Sequence, residues 1–553
     1  MIFNIQKMKR YNLLKFVILG LIALGFTSCK ESFLETPPLD NLTAPNFFNT
    51  DAELLAGTAA LYNKVWFGSN GQALLAFGDG RAGNMLTPYN ASWEQFYQFN
   101  VSNTNGDLAN SWNSFFTIVA QCNVLMYNVN TYAKPAVSEE AKNRAIGEAK
   151  YMRAVAYSYL VQNWGPVPII TDNLAQGADT TLARNTVESV WEFCIRDMQD
   201  AIDLLPETAP EGSGRLTSYA AKGMLARFYL TRAGLGATNG TRDQSYLDKA
   251  KALAKDVIEN GPYQLMENYP DLFLTANNNN SEQLFGLQWV SNGGYGSGNQ
   301  FQSQFAANSQ LTGFQDGWGG GHGASYDYLV SADPADSVRR KATFMLPGDV
   351  YPELIKKEGG YKVPIPPDDA WTTFANFKKY IVGTPDDNGG LGQQQNAPNN
   401  TYIQRLADVY FIYAEAILGN NTSTSDPEAL KYYNAIRERA TLDPVDSFTL
   451  DDLLHERRYE FAVEGDAWYD LVRLYYYNPQ KVIDIIGNQI RGIYTIRIKE
   501  GTGTPQRKRE FDFIIRNEER FTLAPSKFYL PIPDRETAQA PNLLKEPVPY
   551  TFN

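Results

Sequence analysis

A helical repeat of apolar residues in YIQRLADVYFIYAEAILGN (402–420) constrains the fold more than any other feature of this sequence. A second amphipathic segment, 427–440, follows after a short polar loop, so the two predict a pair of antiparallel helices. Such pairs are typical of tetratricopeptide-like scaffolds, but no clean period of about 34 residues runs through the chain, and a generic helical bundle stays open as the alternative. The apolar repeat, at spacings of three and four residues, is formed by Leu406, Val409, Tyr410, Tyr413, Ala414 and Ile417.

Other segments with the same periodicity predict further helices. The segment 138–165 has a capping residue, Ser138, at its start, and it ends where Pro166 and Pro168 exclude further helix. The predicted helices are 111–133, 138–165, 186–206, 217–234, 243–260 and 449–475.

The middle of the chain differs in composition from these helical parts. A strand-like run at 281–290 precedes a stretch, Ser291 to Gly323, that contains ten glycines and a single charge, Asp316. The sequence therefore predicts a mainly α fold, either tetratricopeptide-like helix pairs or a generic bundle, with a loop-rich, partly β region. We expect one unit over 51–553, with helical repeats at about 51–262 and 402–476 and loop-rich regions at about 263–401 and 477–553.

The N-terminus carries a positively charged start and an apolar run of eleven residues, Phe16 to Phe26. This run suits a signal-peptide core and is too short to span a bilayer. The small residues Thr27 and Ser28 before Cys29 resemble a bacterial lipoprotein box, in which the cysteine is freed by cleavage and lipidated. We predict a signal peptide at 1–28, starting at Met1 or Met8, lipidation of Cys29 and a tether at 29–50. An ordinary cleaved signal with an incidental cysteine is the alternative.

Composition narrows the class of ligand. The formal net charge of −12 argues against nonspecific binding to nucleic acid or to an anionic membrane. Cys122 and Cys194 fall in predicted helices, so we do not expect disulfides to organise the fold. The chain holds 33 Tyr, 30 Phe and 9 Trp, and its loops are rich in Asn, Gln, Gly and Pro. Aromatic side chains on polar loops suit ligands with flat apolar faces and many hydroxyls, although most of these rings are expected in the core.

Six stretches are distinctive: CKESFLETPP, NFFNTDAELLAGTAALYNKV, GEAKYMRAVAYSYLVQNWGPVPIIT, ADVYFIYAEAI, HERRYEFAVEGDAWYDLVR and KFYLPIPDRE. Together, and in this order, they resemble the SusD/RagB family of outer-membrane lipoproteins, the substrate-binding partners of TonB-dependent transporters in polysaccharide-using Gram-negative bacteria. The resemblance implies a tetratricopeptide-like helical scaffold with a loop-rich, partly β ligand-binding face. It also implies that paired charges hold helices together, at Arg153, Glu415, Glu464 and Arg473. Ala467 departs from the family, which usually has Arg before Trp468.

The sequence predicts no enzyme, cofactor or metal site. The run HERRY (455–459) has a tyrosine where a zinc-binding helix needs a second histidine. No nucleophile elbow with a serving histidine occurs, and the run DDNGG (386–390) lacks the ligand spacing of a calcium loop. Three glutamates on one helical stripe suggest the paired carboxylates of a glycosidase, but the arginines beside them favour a charge ladder: Glu456, Glu460 and Glu464.

Two loop stretches place aromatic residues beside polar ones and are the predicted glycan-binding regions. Tyr and Trp rings stack on the apolar face of a sugar, while Arg, Asn, Asp and Gln bind its hydroxyls. Trp318 and Tyr295 are expected to form the stacking platform, with local packing as the alternative, and Trp289 is expected in the core. The first stretch, 77–93, contributes Arg81, Asn84, Tyr89 and Trp93, and the second, 288–323, contributes Tyr295, Asp316 and Trp318, with Asp316, Arg81 and Asn84 as hydroxyl partners.

We therefore expect a lipid-anchored protein at the cell surface of the outer membrane. It captures a poly- or oligosaccharide and delivers it, without catalysis, to a TonB-dependent, SusC-like transporter. The alternative is a tetratricopeptide-like scaffold that binds peptides or a partner protein. The sequence does not name the glycan, but its acidic balance favours a neutral polymer over a strongly anionic one.

Overall fold

The computed structural model describes residues 47–177, 179–237, 240–365, 374–499, 501–503 and 509–552, without the side chain of Gln72. The predicted signal peptide, Cys29 and all but the end of the predicted tether lie outside these residues. Side-chain caps start many of the helices: the hydroxyl of Thr50 accepts a hydrogen bond from the Glu53 N–H, and that of Ser138 accepts one from the Ala141 N–H.

The α-helices are numbered in chain order. They are α1 (Asp51–Thr58), α2 (Phe67–Gln72), α3 (Ala91–Tyr97), α4 (Gly106–Tyr132), α5 (Glu139–Trp164), α6 (Asn173–Gln176), α7 (Val187–Leu204), α8 (Ser218–Arg232), α9 (Gln244–Asn260), α10 (Phe301–Phe305), α11 (Ser309–Thr312), α12 (Tyr326–Ser331), α13 (Ser337–Thr343), α14 (Leu406–Leu418), α15 (Pro427–Arg439), α16 (Leu450–Glu460), α17 (Ala467–Tyr475), α18 (Pro479–Asn488) and α19 (Asp534–Gln539).

Seven of the longer helices pack in an unbroken series. In this series α4 packs on α5, α5 on α7, α7 on α8, α8 on α9, α9 on α14 and α14 on α15. The buried faces of these helices carry a large share of the apolar core, because each helix covers the apolar stripe of the next. The long segment 261–405 intervenes between α9 and α14 without interrupting the series. The predicted mainly α, tetratricopeptide-like scaffold with a loop-rich region is thus confirmed.

The strands are short and form two-stranded antiparallel ladders. They are β1 (Met85–Leu86), β2 (Gln283–Leu287), β3 (Gly323–Ala324), β4 (Val350–Tyr351), β5 (Tyr361–Lys362), β6 (Thr401–Arg405), β7 (Ser423–Thr424), β8 (Phe448–Thr449), β9 (Tyr494–Ile498) and β10 (Phe511–Ile515). β1 pairs with β3, β2 with β6, β4 with β5, β7 with β8 and β9 with β10. The predicted strand at 281–290 is confirmed in its central part, β2.

The prediction of one helix over 449–475 is wrong, because the chain turns between α16 and α17. Gly465 has a φ of +83° and Val463 a φ of 65°, which an α-helix does not accommodate. The buried carboxylate of Asp79 accepts hydrogen bonds from the N–H groups of both residues, at 2.9 Å and 2.8 Å. These two hydrogen bonds from Asp79 therefore stabilise the turn that separates α16 from α17.

Buried ion pairs join the helices to the inserted segment. The Arg405 guanidinium, at the end of β6, lies 2.8 Å from Glu282, 2.6 Å from Glu460 and 2.9 Å from Glu464. Truncating one partner of such a set leaves a charge buried and unpaired, which costs about 3–5 kcal/mol. The expected structural pairs are also present, as Arg153 with Asp197, Arg473 with Glu415 and Glu464 with Arg405 and Lys379.

Candidate functional site

The two predicted glycan-binding stretches meet in the structure. β1 belongs to the first stretch and β3 to the second, and they pair antiparallel, with Met85 opposite Ala324 and Leu86 opposite Gly323. The residues that follow β1 and those that precede β3 are therefore held side by side. More than two hundred residues separate these strands in the sequence, so no local sequence pattern predicts their pairing.

Trp318 lies on a loop that is fixed by backbone hydrogen bonds. Its N–H donates to the carbonyl of Ser303 at 3.0 Å, and the N–H of Gly319 donates to the carbonyl of Ala306 at 2.8 Å. The side-chain amide of Asn376 donates to the carbonyls of the following turn, at 2.8 Å for His322. The Trp318 side chain is nevertheless 48% exposed. The loop thus presents a large aromatic ring to solvent on a constrained backbone.

Tyr89 stands beside the same turn, Gly319–Gly321. A Cβ added to Gly321 would come within 2.9 Å of the Tyr89 ring, so the ring lies directly against that glycine. Tyr89 is 79% exposed and has a φ of 134°, a conformation that bulky residues rarely adopt. Its N–H donates to the carboxylate of Glu94 at 3.2 Å. Backbone strain of this kind concentrates at functional sites, and here it accompanies an exposed aromatic ring.

Tyr295 is exposed on a neighbouring part of the second stretch. Its ring packs edge-on against Phe67, with centroids 5.1 Å apart, and Phe67 packs in turn against Trp289. Trp289 is buried and donates its Nε1–H to the hydroxyl of Thr401, which confirms its predicted place in the core. Tyr295 itself is 64% exposed, so one edge is supported and the rest is open to solvent.

The expectation that Asp316 binds ligand hydroxyls does not fit the structure, because its side chain is buried. One carboxylate oxygen, Oδ2, accepts hydrogen bonds from the Ser303 hydroxyl at 2.6 Å and from the Gln395 N–H at 2.7 Å. These bonds join the Trp318 loop to α10 and to the segment around Gln395. Asp316 therefore fixes the loop that carries the exposed ring and does not reach its surface.

Arg81 and Asn84 are likewise buried, which corrects their prediction as hydroxyl partners. The Arg81 guanidinium lies 3.8 Å from the centroid of the Trp468 ring and donates to the Asn163 side chain. The Asn84 side chain donates to Asp79 at 2.9 Å and accepts a hydrogen bond from Arg458 at 2.7 Å. Both side chains are used in packing the first stretch against the helices.

Trp93 is also a packing residue, with 5% of its surface exposed. It lies on α3 and stacks on Phe305 of α10, with centroids 5.5 Å apart and planes inclined by 27°. His322 lies 5.7 Å from Trp93, and burial lowers the pKa of its imidazole. The predicted aromatic set is therefore divided: Trp318, Tyr295 and Tyr89 are exposed, whereas Trp93 supports the loops from within.

A group of amide side chains near these loops is not among the predicted site residues. Gln315 precedes Asp316 and is exposed, and Gln393 and Gln394 are exposed in the segment whose next residue, Gln395, binds Asp316. Amides both donate and accept hydrogen bonds, as hydroxyls do. The signal is the run LGQQQN (391–396), which lies outside both predicted stretches. From Ser291 to Gly323 the only charged residue is the buried Asp316, so this part of the face is uncharged.

The glutamates that suggested a glycosidase pair are all buried and ion-paired. Burial alone would raise the pKa of Glu460, but Arg439, Arg405 and Arg339 outweigh it and lower this pKa to about 2. Glu456 binds Arg437 at 2.7 Å. A general acid needs a raised pKa and access to the substrate, and Glu460 has neither. Among the described residues, no cluster of His, Cys, Asp and Glu could hold a metal ion.

Family models match the chain in two parts. One, described as the SusD family, matches residues 239–548, and another, described as starch-binding and associating with the outer membrane, matches residues 32–230. A SusD-like protein of Bacteroides ovatus is 39% identical over 551 residues, which cover 98% of each chain. The chain belongs to the SusD family. A SusD-like protein of Formosa agariphila, P25, is 24% identical and covers 84% of this chain and 90% of its own.

Solved structures agree with this assignment to the SusD family. One, crystallised with a xylogluco-oligosaccharide, is 39% identical, with a TM-score of 0.82, and the match covers 90% of this chain and 99% of that one. A laminarin-binding SusD-like protein shares the fold at 24% identity and a TM-score of 0.65, covering 89% and 98% of the two chains. Within the described residues of this SusD-family chain, none of the helices combines the length and apolarity needed to cross a bilayer.

Proposed function

We propose that this protein captures a neutral poly- or oligosaccharide at the cell surface and delivers it to a TonB-dependent, SusC-like transporter. The observation that carries the proposal is the exposure of Trp318, Tyr89 and Tyr295 on loops whose backbones are held by hydrogen bonds. A ring already fixed in place loses little conformational entropy when a sugar stacks on it. The protein breaks no bond, and it needs no cofactor or metal.

The neutral character of the ligand follows from the charges around these rings. The second stretch offers no exposed cation to pair with a uronate or a sulfate, whereas the glutamines beside it suit uncharged hydroxyls. The 39% identical structure that was crystallised with a xylogluco-oligosaccharide supports the same class of ligand. The laminarin-binding relative supports it at the level of the fold.

We assign ligand contact to Trp318, Tyr295 and Tyr89, and a positioning role to the buried residues of the two stretches. Asp316 fixes the Trp318 loop through Ser303, and Trp93 supports it through Phe305. Arg81 and Asn84 fix the start of the first stretch. Ligand contact by the exposed rings is thus separable from loop positioning by the buried side chains.

The proposal also includes a lipid anchor at the N-terminus and a transporter partner in the outer membrane. Cys29 becomes the first residue of the mature chain and carries lipid, 29–50 is the tether, and 51–553 forms one ligand-binding unit. The family model that matches residues 32–230 is described as associating with the outer membrane, which supports this location. Mass spectrometry of the native N-terminal peptide tests the anchor, because an unmodified Cys29 or a cleavage elsewhere would contradict it. Co-purification with a β-barrel transporter tests the partner.

The ligand class is tested by affinity electrophoresis and calorimetry with xyloglucan, laminarin, polygalacturonate and an extended peptide mixture. We expect retardation by at least one neutral glycan and none by polygalacturonate. Binding only to peptides would replace this proposal with the peptide-binding scaffold, and binding only to the anionic polymer would contradict the neutral ligand.

A further inference from the structure

A cleft of about 730 Å³ lies between α4, the segment after α5 and α19. Its lining residues come from 112–120, from 168–182 and from the C-terminal segment 536–543. None of the exposed rings Trp318, Tyr295 and Tyr89 contributes to it. The cleft is therefore built from other elements than the proposed glycan site, and its volume falls within the range of about 300–1,000 Å³ that is typical of ligand pockets.

The inner wall of the cleft is apolar and partly aromatic. Trp112 and Phe116 lie one turn apart on α4, with ring centroids 4.8 Å apart, and Phe116 is half-buried. Pro168 and Ile170, after the end of α5, also line the cleft. Trp112 and Pro168 are buried, so the accessible apolar surface comes from Phe116 and Ile170. A half-exposed aromatic ring of this kind suits the C–H face of a sugar ring.

The rim of the cleft is polar, and three of its side chains are available to a ligand. Asn113 and Thr117 on α4 and Gln539 on α19 are exposed, and within the described ranges their side chains form no hydrogen bond. An amide or a hydroxyl both donates and accepts, which matches the hydrogen-bonding capacity of a sugar hydroxyl. Unlike the buried polar residues of the proposed platform, these groups are available to a ligand.

Charge excludes one class of ligand from the cleft. Among the described residues, its charged lining residues are Asp179 and Glu536, and no Lys or Arg lines it. An anionic polymer would meet two carboxylates without a compensating cation. An extended peptide would need partners for its main-chain N–H and C=O groups along its length, whereas the rim offers separate side chains.

A second cleft extends the first beyond Leu543, which lines both. It has a volume of about 560 Å³ and is lined by aromatic and polar residues, among them Tyr529, Asn103 and Thr537. Two of its cations, Arg81 and Arg184, donate hydrogen bonds within the protein, whereas Lys527 is exposed. Together the two clefts follow the C-terminal segment. A groove of this length suits several units of a polymer better than a single small molecule.

We propose that this groove is a second binding site for a neutral glycan chain, distinct from the platform of Trp318, Tyr295 and Tyr89. The inference rests on the proposed glycan function and adds a second point of attachment. Two weak contacts with one polymer raise the overall affinity, because the second contact forms within an existing complex. Long chains thus gain more from the groove than short ones do.

The test compares four proteins in gels that contain xyloglucan or laminarin. They are the wild type, a platform variant Tyr89→Ala/Trp318→Ala, a groove variant Asn113→Ala/Gln539→Ala, and the variant that combines all four changes. Gln121→Ala, an exposed amide on α4 outside the cleft, is the matched control. The groove substitutions remove exposed, unpartnered side chains, so unchanged thermal unfolding is expected for them.

We expect the groove variant to lose about fivefold in polymer affinity, the value of one or two hydrogen bonds. We also expect the platform variant to keep a residual retardation that the combined variant loses. Equal retardation of the platform and combined variants would overturn the groove assignment. If the groove substitutions abolish binding and the platform ones do not, the groove stands and the platform fails. Loss of peptide binding alone in the groove variant, or no glycan binding by any protein, would overturn the inference.

Discussion

The ring of Tyr89 occupies space that a side chain at Gly321 would need. A methyl group there would stand 2.9 Å from its Cδ2 atom, closer than side chains in folded proteins approach one another. Two loops far apart in sequence thus depend on one another: the glycine turn after Trp318 leaves the space into which Tyr89 fits. The proposed platform is a product of this contact as much as of the aromatic residues themselves.

Gly321→Ala is expected to displace the Tyr89 ring and weaken glycan binding without unfolding the protein. A loss of about 1 kcal/mol, or roughly fivefold in Kd, follows from losing one partly stacked ring. Calorimetry with the best neutral glycan measures it. Gly487→Ala is the control, because a methyl group at that helical position meets nothing within 4 Å. An unchanged Kd for Gly321→Ala would remove Tyr89 from the site.

Asp316→Ala is expected to reduce both stability and glycan affinity. The Ser303 hydroxyl and the Gln395 N–H both lose their acceptor, and an unsatisfied buried donor costs about 1–3 kcal/mol. Urea unfolding and calorimetry, run in parallel, separate this effect from direct ligand contact. Weaker binding with an unchanged free energy of unfolding would show that Asp316 touches the ligand after all.

The buried carboxyl group of Asp466 is expected to make the stability of the protein fall as the pH rises. Burial, together with the neighbouring Asp408, raises the pKa of Asp466 to about 7 despite its ion pair with Arg227. The unfolded chain releases this proton near pH 4, whereas the folded protein holds it to higher pH. Between these values the folded state binds more protons, so this group makes the protein less stable as the pH rises.

Asp466→Asn is therefore expected to flatten the stability profile between about pH 4 and pH 7. The free energy of unfolding in urea, measured at intervals across this range, checks the prediction. Asp512→Asn is the control, since Asp512 is exposed on β10 and its carboxylate is 3.8 Å from Lys499. If the wild type and Asp466→Asn show the same slope, Asp466 is ionised throughout the range.

The helices could be predicted from the sequence, whereas the direction of the loop side chains could not. A repeat such as Leu406 to Ile417 fixes which face is buried, and a cap such as Ser138 fixes where a helix begins. The loops have no such period, so residue type alone did not separate the exposed Trp318 from the buried Trp93. Likewise, the turn at Gly465 depends on the carboxylate of Asp79, nearly four hundred residues away.

The family resemblance predicted the family correctly, whereas residue chemistry did not separate exposed from buried polar side chains. The six stretches identified the SusD family, which the matches over the whole chain confirm. Residue chemistry, however, predicts Arg81, Asn84 and Asp316 as ligand partners, whereas the structure buries all three in internal hydrogen bonds. A buried charged or amide side chain in a loop forms its hydrogen bonds within the protein. It is therefore not available to a ligand.

Trp318→Ala removes the largest exposed ring of the proposed glycan platform. Calorimetry with the tightest-binding neutral glycan should show a loss of about 1–3 kcal/mol, the scale of losing one large apolar contact. Tyr127→Ala is the matched control, because Tyr127 is exposed on α4. We predict weaker binding for Trp318→Ala and wild-type binding for Tyr127→Ala, with both proteins folded. Binding of that glycan by Trp318→Ala with wild-type affinity would contradict the proposed site.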